Sequence, residues 1–226
     1  MNAPSLSPRP THLPADAQLL KRGERVLEPD VYLAAYGDQP VVVKDYRRYR
    51  GTPLALAARW LVRHEAGILR RLSGWRHAPA LIGMGALALG MEFIPGTTLS
   101  EIGLSDSASA VGQEVFDQLQ AALHKLHAQG ITHNDLHGAN VVVSAGVPVL
   151  IDFTSAWRTP RLLQRSFLSR QLRRGDWKNL LKLRQRATGI EPTREQAARV
   201  AEPRWVRSIR DGWKYFYRGG KQAAGN

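Results

Sequence analysis

His133-Asn134-Asp135-Leu136-His137-Gly138-Ala139-Asn140, followed twelve residues after Asn140 by Asp152-Phe153-Thr154, decides the fold. An aspartate and, five residues on, an asparagine share one short loop, and a second aspartate ends a hydrophobic stretch. Between the two motifs, Val141-Val142-Val143 and Val147-Pro148-Val149-Leu150-Ile151 flank Ser144-Ala145-Gly146, which predicts a hairpin of short strands. Ahead of the loop, residues 116–127 repeat apolar side chains at helical spacing and stop near Gly130. A turn rich in Asn, Asp and Gly between a helix and a strand is common and by itself says little. The second aspartate, at the far end of the hairpin, adds chemistry: one carboxylate can accept a proton while two further oxygen donors suit a hard divalent cation.

Phosphoryl transfer asks for such a set. It needs an in-line hydroxyl, a group to take its proton and cations against the developing charge. The segment resembles the catalytic loop and metal-binding strand of the protein kinase superfamily. It is most similar to the small atypical members: the bacterial lipopolysaccharide kinases that phosphorylate heptose or Kdo sugars, and the RIO-type kinases. Asp135-Leu136-His137-Gly138-Ala139-Asn140 is also similar to the corresponding loop of choline and aminoglycoside phosphotransferases. The resemblance runs over residues 21–157. It implies an α+β fold of two lobes, with ATP and Mg2+ as cofactors. Asp135 is then the base, Asn140 and Asp152 are the magnesium ligands that also hold the nucleotide, and His133 braces the loop. His137 either contacts the phosphate or packs.

Upstream, residues 24–35 and 39–46 predict two strands around Gly37-Asp38, the second being Val41-Val42-Val43-Lys44-Asp45-Tyr46. A lysine ending a β-branched strand ahead of a helix matches the residue that reaches the α- and β-phosphates of ATP. The helix is expected over 54–72, with Trp60, Leu61, His64, Ile68 and Leu72 on its apolar face. Glu65, 21 residues past Lys44, is the expected partner of that lysine; the plainer reading pairs it with Arg70 or Arg71 on the helix surface. Two further strands, 80–83 and 86–93, lead into Met91-Glu92-Phe93-Ile94-Pro95-Gly96. This stretch resembles the hinge between kinase lobes, which implies that the Glu92 carbonyl and Ile94 amide pair with adenine and that Met91 guards the pocket behind. An edge strand and turn would look the same.

The chain also departs from the kinase pattern. No glycine-rich phosphate loop is visible: Leu27-Glu28-Pro29-Asp30-Val31-Tyr32 stands where glycines would let backbone amides wrap the phosphates. Asn134 replaces the arginine that answers an activation-loop phosphate. Thr154 replaces the glycine after Asp-Phe and is expected to restrict the flip that silences many kinases. Ser155-Ala156-Trp157-Arg158-Thr159-Pro160 leads directly into a basic region, without the Ala-Pro-Glu of the protein-substrate platform.

At 226 residues, 43% of them hydrophobic, the chain can bury a proper core. It has no cysteine, which excludes disulfides and thiolate metal sites and suits a reducing cytoplasm. The N-terminal residues have no signal-like apolar core, and the run 78–91 is too short to span a bilayer. Residues 1–157 carry equal numbers of acidic and basic side chains, so the whole net charge of +13 falls on 158–226. There Trp177, Leu180, Leu181 and Leu183, then Trp205, Val206, Ile209, Trp213, Phe216 and Tyr217, recur at helical spacing and predict basic amphipathic helices. Their outer face is either solvated or turned to something anionic, such as a lipid surface. Nucleic acid is not expected, because no recognition motif accompanies the charge. A zinc site from His124, His127, His133 and His137 is not expected either, since no Cys or His-Glu-x-x-His supports it.

The organisation expected is a mobile leader over 1–20, a small antiparallel sheet lobe over 21–94 and a mainly helical lobe over 95–220. That second lobe includes basic helices over 160–217, and a flexible tail follows over 221–226. The expected activity is ATP- and Mg2+-dependent transfer of the γ-phosphoryl group to an alcohol, foremost a sugar of the lipopolysaccharide core at the cytoplasmic face of a bacterial inner membrane. A RIO-like serine/threonine protein kinase and a pseudokinase scaffold are the alternatives.

Overall fold

In a computed structural model of the chain, residues 13–14, 16–103 and 112–201 are described. The chain divides into two compact units, 1–190 and 191–226. The first unit opens with strands β1 (Gln18–Lys21), β2 (Asp30–Tyr36) and β3 (Gln39–Asp45), followed by helix α1 (Ala55–Arg71), β4 (Leu81–Met84) and β5 (Ala88–Glu92). These strands form one antiparallel sheet in the order β1-β2-β3-β5-β4. Gly37 turns the β2–β3 hairpin at φ +63°, where a side chain would be strained. Along β3 the two-residue period separates two faces. Val41 and Val43 are buried with Ala34 and Ala88 on one face. Val42 and Lys44 fall on the other, toward the cleft between the lobes.

The sheet begins earlier than expected. Gln18 and Leu19, assigned above to the mobile leader, pair with Leu33 and Tyr32 of β2 as an edge strand, and Leu20 falls at a bulge between them and Lys21. The strand expected from Glu24 starts only at Asp30, because residues 22–29 form a loop. The helix α1 lies where expected, and Ile68 and Leu72 are buried as expected, but the rest of its buried face is Ala58, Val62, Glu65, Ala66 and Leu69, whereas Trp60 is exposed. Small alanines let the helix lie close against the sheet, so the wide Trp60 turns outward and stacks on His64, 4.9 Å between ring centres.

The second lobe contains β6 (Thr97–Thr98), the short α2 (Leu99–Ile102), α3 (Gln113–Ala128), β7 (Ile131–Thr132), β8 (Val141–Ser144), β9 (Val147–Leu150), β10 (Trp157–Arg158) and α4 (Phe167–Thr188). β8 and β9 pair through a two-residue turn in which Ala145 and Gly146 both have positive φ, as a tight hairpin of right-handed twist requires. β7 pairs with β10, bringing the loop after α3 beside the segment after Asp152. Phe116, Leu119, Leu123 and Leu126 of α3 pack with Leu136, Leu150, Phe153 and Leu180 into the main core, which continues into α1 and β5.

The expected helical lobe ran to residue 220, whereas the compact unit closes at Ile190. In the second unit, α5 (Arg194–Val200) is opened by a reciprocal Thr193–Gln196 capping box. The apolar spacing over 205–217 lies outside the described residues.

Candidate active site

Lys44, at the end of β3, is almost fully buried and has three acceptors. Its Nζ donates to Glu65 Oε1 at 2.7 Å, Asp152 Oδ1 at 2.7 Å and Thr154 Oγ1 at 3.0 Å. The α1 periodicity places Glu65 on the core side with 1% exposure, so the pairing with Lys44 holds and the surface pairing with Arg70 or Arg71 does not. The remaining Glu65 oxygen capacity is taken by the Phe153 N–H at 3.1 Å and the Thr154 hydroxyl at 2.9 Å. Burial works against charge on Lys44, but the adjacent Glu65 and Asp152 carboxylates outweigh it and raise its pKa. Burial likewise disfavours ionised Asp152, and the Lys44 ammonium prevails, with Thr154 assisting, so its carboxyl lies well below the usual range.

Thr154 therefore does more than stiffen the strand end. Its hydroxyl bridges Lys44 and Glu65 and closes the network. Thr154→Val keeps the shape and leaves a buried carboxylate oxygen without its donor, at an expected cost of about 1–3 kcal/mol. A lowered thermal midpoint checks this, and an unchanged one would contradict the bridging role.

Asp135 and Asn140 sit across the cleft. Asn140 Nδ2 donates to the Asp135 carbonyl at 2.9 Å and to Asp135 Oδ2 at 3.3 Å, which leaves the amide oxygen for another partner. The Ile151 N–H donates to the Asn140 carbonyl at 2.9 Å, tying the loop to the strand that carries Asp152. His137 does not pack: it is exposed, with Nε2 3.6 Å from Asp135 Oδ2. His133 is fully buried, hydrogen-bonds the Ile151 carbonyl at 3.1 Å and meets the Phe153 ring at a tilt, 5.1 Å between ring centres. Burial pushes its pKa down despite the nearby Asp176, so it is a neutral brace.

Sequence reading passed over Asp176. It is the only carboxylate between residues 158 and 190, set on a basic helix, and that isolation was the available signal. Its side chain, 0% exposed, reaches from α4 under the loop. Oδ2 accepts from the His133 N–H at 2.9 Å and His127 Nε2 at 2.8 Å, and Oδ1 accepts from the Asn134 N–H at 2.8 Å. Asn134 itself has φ +63°, a left-handed kink that these bonds hold just before Asp135.

A cleft of about 650 Å3 joins these groups. Lys44, Asp135, Asn140 and Asp152 line its polar end, with Glu65 behind Lys44. Val31, Val42, Met91, Val142 and Ile151 make an apolar end, rimmed by Glu92, Phe93 and Ile94. The Glu92 carboxylate accepts from the Ala80 N–H at 3.0 Å, which fixes the rim against the start of β4.

A five-stranded sheet with a buried lysine–glutamate pair, set over a helical lobe whose loop carries aspartate and asparagine, is a fold shared with solved kinase structures. The RIO domain model matches residues 38–188, well over half of the chain, and the chain belongs to that family. Two solved structures of Rio2 kinase from Chaetomium thermophilum share the fold, each with a TM-score of 0.59. One is an ADP/Mg2+–phosphoaspartate complex, 16% identical, over 78% of this chain and 57% of that one. The other is 14% identical over 82% of this chain and 63% of that one, so the chain spans roughly three fifths of their length. No curated protein matches the chain in sequence.

Proposed function

We propose that the cleft binds Mg-ATP and transfers its γ-phosphoryl group to a hydroxyl of a protein serine or threonine. The observation that carries this is the meeting of Lys44, Asp135, Asn140 and Asp152 in one cleft that also has apolar walls. The adenine would lie between Val31, Val42 and Val142, against the Met91–Ile94 backbone. Lys44 would bind the α- and β-phosphates. Asn140 and Asp152 fit a magnesium ion: one offers an amide oxygen left over from its bonds to Asp135, the other a carboxylate kept ionised by Lys44. Among the described residues no group of three His, Cys, Asp or Glu is assembled for a metal, so the remaining ligands would be phosphates and water. The bound ion would neutralise charge on the phosphate oxygens. Asp135, half-exposed at the cleft mouth, accepts the hydroxyl proton as the acceptor oxygen attacks the γ-phosphorus and ADP leaves.

A protein acceptor is preferred over the lipopolysaccharide sugar because the family match is to the RIO domain. The basic face of α4 supports an anionic partner without identifying one. Among the described residues no helix is long and apolar enough to cross a membrane. The phosphoaspartate recorded in the Rio2 complex favours a second reading, in which a carboxylate oxygen of the enzyme first displaces ADP from the γ-phosphorus. Hydroxylamine-labile label on the chain would mark that route.

The test is Asp135→Ala with γ-labelled ATP and protein acceptors. Transfer should fall by about 10²–10⁴-fold, the worth of a positioned base, while Mg-ATP still raises the melting temperature. Full activity in the variant removes Asp135 from the role of base. No melting shift in the unaltered chain at millimolar Mg-ATP would instead favour a scaffold without nucleotide chemistry.

A further inference from the structure

The loop between β1 and β2 stands where a kinase presents glycine amides to phosphate, yet its amides are engaged within the protein. The Gly23 N–H donates to Asp30 Oδ1 at 2.8 Å. The N–H groups of Glu24 and Arg25 donate to Glu28 Oε2 at 3.0 and 2.9 Å. The Leu27 N–H donates to the Tyr49 hydroxyl at 2.8 Å, and the Glu28 N–H to the Arg25 carbonyl at 3.2 Å. From the side of β3, the Arg48 guanidinium donates to the carbonyls of Gly23, Arg25 and Glu28 and to the Tyr49 hydroxyl. Gly23 serves this clamp. A Cβ there would lie 2.4 Å from the Glu28 carbonyl oxygen and 2.8 Å from the Arg48 guanidinium. The glycine permits close packing of the loop on itself.

An amide cradle binds anions through N–H groups that point at the ligand with no other partner. Five of this loop's amides already have acceptors. The loop instead brings cations: Lys21 and Arg25 line the cleft with Lys44, Asp135 and Asp152. Both also line an adjoining recess of about 270 Å3 over Asp152, Thr154 and Ser155. Lys21 is held by Glu28 at 2.6 Å. Arg25 has no carboxylate partner among the described residues, so its side chain is available to a ligand.

We propose that Arg25 binds the terminal phosphates of the nucleotide in place of the missing amide cradle. The loop is held in position beforehand by Arg48, Tyr49 and Glu28. A guanidinium offers paired donors that match phosphate oxygens, and the clamp spares the loop the ordering that a glycine-rich loop undergoes. This rests on the reading of the cleft as a nucleotide site.

Calorimetric titration of the full chain with adenosine, Mg-ADP and Mg-ATP tests it. Arg25→Ala should weaken Mg-ATP by about ten- to hundredfold, the scale of a charge-assisted contact, and leave adenosine within about twofold. Arg25→Lys, which keeps charge and loses the fork, should recover part of the loss. Arg25→Ala binding Mg-ATP as tightly as the unaltered chain would overturn the assignment while leaving the nucleotide site standing, and so would an equal loss for adenosine. If the unaltered chain binds none of the three, the nucleotide reading itself fails.

Discussion

Lys44→Met should abolish phosphoryl transfer and destabilise the fold by about 3–5 kcal/mol, the cost of breaking a buried ion pair from one side. Methionine keeps the stem of the lysine and its packing, so the loss isolates the ammonium. Asp152 is partly exposed and can turn to water. Glu65 cannot: it is 1% exposed, and without the lysine only the Phe153 N–H and Thr154 hydroxyl face its charge. Urea denaturation of Lys44→Met beside a Lys44→Met, Glu65→Gln double variant separates the causes. The double variant removes the stranded charge and should regain much of the lost stability, giving a large coupling energy between the two sites. A single variant that unfolds at the unaltered midpoint would show that Glu65 is not paired as described.

Acid should reveal the same network. A carboxyl whose pKa is lowered in the folded chain leaves the unfolded chain with more bound protons once the pH drops below about 3.9. The Asp152 contribution is therefore complete above that pH and lost as pH falls further. In Lys44→Met, where the lowering is gone, this part of the acid sensitivity should be absent.

The residues of this network were legible to different degrees. Asp135, Asn140 and Asp152 lie within eighteen positions of each other, inside a loop and hairpin whose turn and strand residues fix their relative placement. Lys44 and Glu65 were readable through a strand followed by a helix. The face of α1 was legible in part: Ile68 and Leu72 are buried as read, but hydrophobicity ranks Trp60 and Leu61 above Ala58 and Ala66, whereas close packing on a sheet selects for small volume. β1 carried no signal: all four residues are exposed, so the alternation that marks a strand is missing. Thr154 was legible as a substitution but its hydroxyl's double role was not, since that depends on a contact with Glu65 across 89 residues of chain. Charge counting hid Asp176 altogether, treating the last third as a basic surface with helices inside it.

Asp176→Ala should destabilise the fold about as much as Lys44→Met, and for a different reason. Two backbone N–H groups, those of the buried His133 and the partly buried Asn134, and the buried His127 ring lose their acceptor. Each buried donor left without a partner costs about 1–3 kcal/mol, so a total of about 3–5 kcal/mol is expected after some relaxation. The damage should reach Asp135, the proposed base, as well. Asn134 holds a left-handed conformation one residue before Asp135, and its N–H bond to Asp176 is what keeps the kink oriented. A small rotation there would swing Asp135 away from Asn140 and from any hydroxyl in the cleft, and misplacement of a base by about 1 Å can cost on the order of 10²-fold in rate. Asp176→Asn tests positioning against packing: it retains the volume but can present only one oxygen, and its NH2 would oppose a backbone donor. Urea titration and transfer assays on both variants should therefore give a stability loss for each, with kcat falling much further than Mg-ATP affinity. If Asp176→Asn keeps kcat near that of the unaltered chain, α4 supports the lobe without setting the geometry of Asp135.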